Sequence, residues 1–163
     1  MSLLIGLYIK KTLEGCEPLQ RLTGGRICPV VFPDDSDTPA PYVAYSRTSY
    51  SEDGSKDGTH GSTCSVDIEC VGRNYEEMLT LCHTVMEAVR EDLKARGGQF
   101  DDLPFAVADI DITAGAEEFD AMTCEYLSSV RLMIDTEEHE SIPPYSFAMN
   151  FPLSATGRDI EED

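Results

Sequence analysis

The chain has 163 residues, a formal net charge of −19 and 41% apolar residues, which suits one domain with a core of its own. Its acidic surplus excludes a protein that holds nucleic acid by neutralising phosphates, and its apolar-periodic segments exclude a chain disordered throughout. It has no run of the roughly 18 apolar residues that would suggest a membrane-spanning helix.

Residues 3–13 carry Leu3, Leu4, Leu7, Tyr8 and Ile9 at helical spacing. Lys10 and Lys11 follow this apolar run rather than precede it, so it reads as an amphipathic first helix and not as a secretory leader. Gly15 and Pro18 punctuate the next stretch, and residues 19–22 offer one further turn. Gly24-Gly25 then breaks the chain before 26–31, a short strand that Pro29, lacking an N–H, confines to a sheet edge. Residues 33–41 form a polar, Pro-rich loop.

Residues 42–50 are rich in aromatic, Thr and Val residues, as strands are. In 62–71, Cys64, Val66, Ile68 and Cys70 alternate with Ser65, Asp67 and Glu69, the pattern of a half-buried antiparallel strand. The Gly-rich stretch 51–61 between them has no large apolar residue to bury and is expected to be a mobile hairpin tip. Asn74 is suited to cap a helix over 75–96. Glu76 and Glu77 lie in its first turn, and its stripe is Tyr75, Met78/Leu79, Cys82, Val85/Met86, Val89 and Leu93. Gly97-Gly98 supplies the stop.

Two more strands are expected. Residues 105–113 place Ala106, Ala108, Ile110 and Ile112 on one face and Asp109 and Asp111 on the other. Residues 122–135 present Met122, Cys124, Tyr126, Val130, Leu132 and Ile134, and 114–120 read as a short acidic turn between the two. The predicted fold is α+β, in the order α-β-β-β-α-β-β: an antiparallel sheet of four or five strands with one long helix on one face, over residues 1–135. The arm 136–163 holds seven acids and one Arg, contributing −6. Within it Tyr145, Phe147, Met149, Phe151 and Leu153 alternate with smaller or polar residues, so it is suited to strand addition to this sheet or to a neighbouring subunit.

Chemistry-bearing motifs are weak. The tip lacks the Gly and Lys spacing of a phosphate-binding loop. Asp53, Ser55, Asp57 and Gly58 match part of a calcium loop, but Cys64 stands where a bidentate Glu belongs. His60, His83 and His139 form no zinc pattern, and the six scattered cysteines lack a Cys-x-x-Cys pair and read as free thiols of a reducing cytoplasm. The paired acids Asp67/Glu69 and Asp109/Asp111 suit a solvated or subunit-facing surface better than an acid–base site. Neither a catalytic residue nor a cofactor is expected.

The phrases Leu22-Thr23-Gly24-Gly25-Arg26-Ile27-Cys28-Pro29 and Pro39-Ala40-Pro41-Tyr42-Val43-Ala44-Tyr45, followed by Val66-Asp67-Ile68-Glu69-Cys70 and Asn74-Tyr75-Glu76-Glu77, resemble the tail completion, or tail terminator, proteins of tailed phages and prophages. The resemblance runs from about Leu3 to Ile134 and stops short of the arm. It implies a non-enzymatic protein of the virion tail, assembled in a bacterial cytoplasm. Its partners would be other copies of itself in a ring, typically a hexamer, together with the tail tube protein and the head–tail connector. Such a ring caps the tube, stops its growth and lets DNA through without specific binding. On this reading Asp67, Glu69, Asp109 and Asp111 face the channel, while Asp53, Lys56, Asp57, His60, Tyr145, Phe147, Met149 and Phe151 serve assembly. The competing expectations are a cytoplasmic α+β module that binds a protein or small ligand, and a hydrolase with an acidic pocket.

Overall fold

The computed structural model describes residues 4–30, 39–54 and 60–138. The elements in chain order are α1 (Ile5–Glu14), α2 (Glu17–Thr23), β1 (Ile27–Pro29), β2 (Tyr42–Gly54), β3 (His60–Gly72), α3 (Tyr75–Arg96), β4 (Phe105–Asp120) and β5 (Glu125–Glu138). The strands form one sheet in the order β1-β2-β3-β5-β4. The α+β architecture expected from the sequence is therefore present, with the three helices on one side of a five-stranded sheet.

Alternation in β3 sets the two sides. Cys64, Val66, Ile68 and Cys70 are buried and lie opposite Ile134, Leu132, Val130 and Ser128 of β5. On the other flank Cys70 and Ile68 meet Val43 and Tyr45 of β2. Helix α3 closes over this layer with Met78, Leu81, Val85 and Val89, all at three- or four-residue spacing and all fully buried. Its start is fixed by side chains: Asn74 Oδ1 accepts from the Glu77 N–H at 2.9 Å, and Glu77 Oε2 accepts from the Arg73 N–H at 2.7 Å. It ends at Gly97, which is left-handed and donates to the Leu93 carbonyl. Helix α1 adds Ile5, Tyr8, Ile9 and Leu13 beside β1 and β2.

Two glycines allow close approaches. A Cβ on Gly72 would lie 2.5 Å from the Met78 backbone nitrogen, so the β3-to-α3 turn needs a residue without one. Gly98 has positive φ and would push a Cβ to 2.4 Å from the Val107 carbonyl oxygen, while its own carbonyl accepts from the Val107 N–H.

Several expectations are corrected. The sheet is not wholly antiparallel, because β1 pairs with β2 in parallel, although it does sit at an edge as Pro29 demands. Residues 114–120 are not a turn. They continue β4, and a bulge between Ala114 and Glu117 absorbs the Ala-Gly-Ala that breaks the alternation. The turn lies at 121–124, where Asp120 Oδ1 accepts from the Met122 N–H and Cys124 takes a φ of 57°. Met122 and Cys124 are therefore exposed turn residues and not an inward row.

A second bulge, between Val107 and Asp109, shifts the phase of β4. Phe105 and Val107 face the core with Ile110 and Ile112, and Ala108 is the extra residue. On α3, the unexpected Leu81 is buried while Tyr75 and Leu79 are exposed, because the stripe is centred about one residue from where the sequence alone centres it. Strand β5 also runs past the expected boundary at 135. Of the expected tip 51–61, residues 51–54 and 60–61 are paired strand that ends β2 and opens β3, while 55–59 and the arm beyond 138 lie outside the described residues.

The burial of α3 generates a test. Val85→Asp or Val89→Asp places an unpaired carboxylate where the wild-type side chain has no exposure. We expect either change to destabilise the domain by more than ~3 kcal/mol, read as a shifted midpoint in urea denaturation. A variant that melts like the parent would refute the orientation of the helix.

Candidate functional site: the open acidic face of the sheet

The residues between the buried ones point to the side without helices, and the strand registers set them in rows. Ala44, Glu69 and Ser129 make one row across β2, β3 and β5. Ser46, Asp67, Arg131 and Thr113 make the next, across to β4. Then come Ser49, Ser65, Met133 and Asp111, and after them Ser51, Thr63, Asp135 and Asp109. The four acids singled out in the sequence, Asp67, Glu69, Asp109 and Asp111, therefore do share one face. Groups that sequence reading did not single out join them, among them the carboxylate of Asp135 and the cation of Arg131. Both could have been found from parity, since they fall on the outward phase of a strand whose inward phase is Val130, Leu132 and Ile134.

Arg131 holds Asp67 through a two-pronged ion pair, Nε to Oδ1 at 2.7 Å and the second guanidinium nitrogen to Oδ2 at 2.8 Å. Hydrogen bonding from this guanidinium lowers the Asp67 carboxyl below its usual range, against a smaller opposing effect of burial. Thr63 Oγ1 donates to Asp135 Oδ1 at 2.6 Å. Asp109 lies directly opposite Asp135 in the ladder, a like-charge pair of the kind that weakens a sheet. Beside Arg131, the β4 bulge opens a shallow depression of about 550 Å³, lined among others by Glu69, Thr113, Gly115, Glu118 and Ser129. The face offers a negative, hydrogen-bonding surface rather than an enclosed reaction pocket. Among the described residues, no three His, Cys, Asp or Glu side chains converge as a metal set.

Two further surfaces lie on the helix side. At one end Tyr126 stacks edge-on or tilted against Tyr75 and Phe119, with ring centroids at 6.1 and 4.9 Å. Phe119 remains 53% exposed at the end of β4 and Met122 95% exposed in the turn that follows. A groove of about 580 Å³ separates the α1–α2 junction from α3, lined by Lys11, Gly15, His83, Glu87 and Arg96 among others. Of the expected assembly residues, Asp53 and His60 are placed by backbone pairing at the loop end of the β2–β3 hairpin, opposite Gly61 and Gly54. Lys56, Asp57, Tyr145, Phe147, Met149 and Phe151 lie outside the described residues.

No family model matches the sequence, and no curated protein matches it either. A solved structure does. It is a chain from the structure titled "Virion of native gene transfer agent (GTA) particle", similar at a TM-score of 0.61 and 10% identity over 79% of this chain and 91% of that one. At that identity the likeness shows a shared fold. It spans nearly all of the other chain, so the shared unit is the whole α+β domain and not one hairpin.

Two predictions test the electrostatics of the face. A carboxyl lowered in the folded state stabilises the fold above the ordinary carboxylate range and loses that contribution as pH falls through its lowered value. We therefore expect Arg131→Ala to lower stability slightly at neutral pH, the pair being partly exposed, and the gap to wild type to close below about pH 4. Urea denaturation at several pH values measures this, and a gap that widens in acid would contradict it. Asp109→Asn removes the like-charge pairing with Asp135 and should raise stability by ~0.2–1 kcal/mol, with the gain shrinking as salt is added.

Proposed function

We propose that this chain is a structural component of a phage-derived particle, and specifically the tail terminator: a non-enzymatic protein that forms a ring on the head-proximal end of the tail tube, stops its polymerisation and joins it to the head connector. The observation that carries the reading is the fold shared, over 79% of this chain and 91% of the other, with a chain of a gene transfer agent virion. The phrases around Arg26, Tyr42 and Asn74 support the finer assignment to tail terminators.

The open face gives the reading a physical use. In a ring whose channel is lined by Asp67, Glu69, Asp109 and Asp111, fixed carboxylates repel the phosphates of passing DNA. At physiological salt that repulsion reaches ~8 Å, enough to keep the duplex from adhering to the wall. A ring also requires a heterologous contact, in which two different patches of one chain meet. The exposed Phe119 and Met122 are suited to one side of a contact with neighbour or tube. The other assembly residues proposed are Asp53, Lys56, Asp57 and His60 at the hairpin end, and Tyr145, Phe147, Met149 and Phe151 in the arm.

Electron microscopy of particles purified from a producing bacterium tests the proposal. We expect density for this fold as a closed ring between tube and connector, with the acidic sheet face toward the channel. Absence of the chain from the particles would refute the reading altogether. A ring with Asp67, Glu69, Asp109 and Asp111 on its exterior would refute the channel role alone.

A further inference from the structure

The sheet ends in two unlike edges. On one side β1 is three residues long and closes with Pro29, which cannot donate. On the other side β4 is sixteen residues long, and no described strand pairs with its outer margin. Such an edge is a template for another strand. Bulges at Val107/Asp109 and Ala114/Glu117 fence off a regular stretch at 109–114, so a partner strand would find a short, defined register there. The cover above this margin is also incomplete. Helix α3 packs on β3 and β5 and touches β4 less, leaving Ile110 and Ile112 half-buried.

The sequence contains a segment whose alternation would suit that edge. In 145–153 the odd positions are Tyr145, Phe147, Met149, Phe151 and Leu153, while Ser146, Ala148 and Asn150 take the even ones. Added to β4, the odd set would extend the apolar layer beside Ile110 and Ile112, and the even set would continue the polar face beside Asp109 and Asp111. Pro143-Pro144 precede the segment and Pro152 takes its last even position, placements that an edge strand tolerates.

We propose that the 109–114 edge of β4 receives segment 145–153 of a second copy of this chain, so that each copy donates one strand and accepts one. This rests on the ring reading and names its heterologous contact. The exchange is favoured over self-pairing by where the described chain ends. Glu138 lies opposite Phe105, at the start of β4, and Gly98 already occupies the Val107 N–H on that margin. An arm returning along its own β4 would have to round the 98–104 loop and could run only parallel to it. A neighbour's edge is open to antiparallel pairing, the somewhat stronger mode.

Hydrogen exchange on the full chain, with light scattering on the same samples, tests this. The comparison is wild type against the Phe147→Asp, Phe151→Asp double variant, whose changes lie outside the described domain. We expect the 109–114 amides of concentrated wild type to exchange at least about tenfold more slowly than in the variant, and this protection to fade on dilution together with the oligomer mass. Equal exchange in both proteins would overturn the proposal. Protection that persists at concentrations where the chain is monomeric would mean self-pairing and overturn it too. If the variant still assembles like wild type, strand exchange is refuted while the ring reading stands.

Discussion

The register of β3 against its two neighbours is the constraint on which everything else depends. Along β3, Cys64, Val66, Ile68 and Cys70 face the helices, and Ser65, Asp67 and Glu69 face away. A slip of one residue would carry Asp67 and Glu69 under α3 and expose Val66 and Ile68. Burying two carboxylates without partners would cost far more than the slip could recover. Because β3 pairs with both β2 and β5, the same phase propagates across the sheet to Asp109 and Asp111 on β4. One strand's alternation thereby produces both the core that folds the chain and the charged surface it presents.

Stability alone does not account for that surface. A net charge of −19 works against compaction, and Asp109 facing Asp135 weakens a ladder that Asn or Ser would leave neutral. Arg131 offsets part of the cost at Asp67, and the Lys11–Asp102 ion pair acts similarly at the α1 end. The remaining acids are open to solvent, where self-repulsion is tolerable one carboxylate at a time. A surface that keeps such charge at the expense of stability is suited to repelling something of the same sign, as the proposed channel role requires.

Much of this was legible in the sequence wherever a single local rule decided the outcome. Asn74 and Gly97 bracket α3 because capping chemistry acts within one turn. Asp67, Glu69, Asp109 and Asp111 could be placed on one face because alternation needs no knowledge of partners. Legibility failed where long-range pairing overrode local preference. Ala114-Gly115-Ala116 has turn composition, yet it continues as strand because β5 holds it across a bulge. Alternation alone groups Ala106 and Ala108 with Ile110 and Ile112, because the inserted residue shifts the phase of β4 invisibly. The pairing of Arg131 with Asp67 joins residues 64 positions apart, and no spacing rule reaches that far.

The unequal edges also constrain how copies of the domain can assemble. A domain that paired through identical edges would close on itself as a dimer with a two-fold axis. Here β1 is short and blunted by Pro29, and β4 is long and fenced by two bulges. A contact in which β4 meets a different element of the next copy, as proposed for segment 145–153, would be heterologous. Whether heterologous contacts close into a ring or run on as a filament depends on the angle between successive copies. The bulges of β4 fix the twist at that edge, so they are the features of this fold that would set the angle.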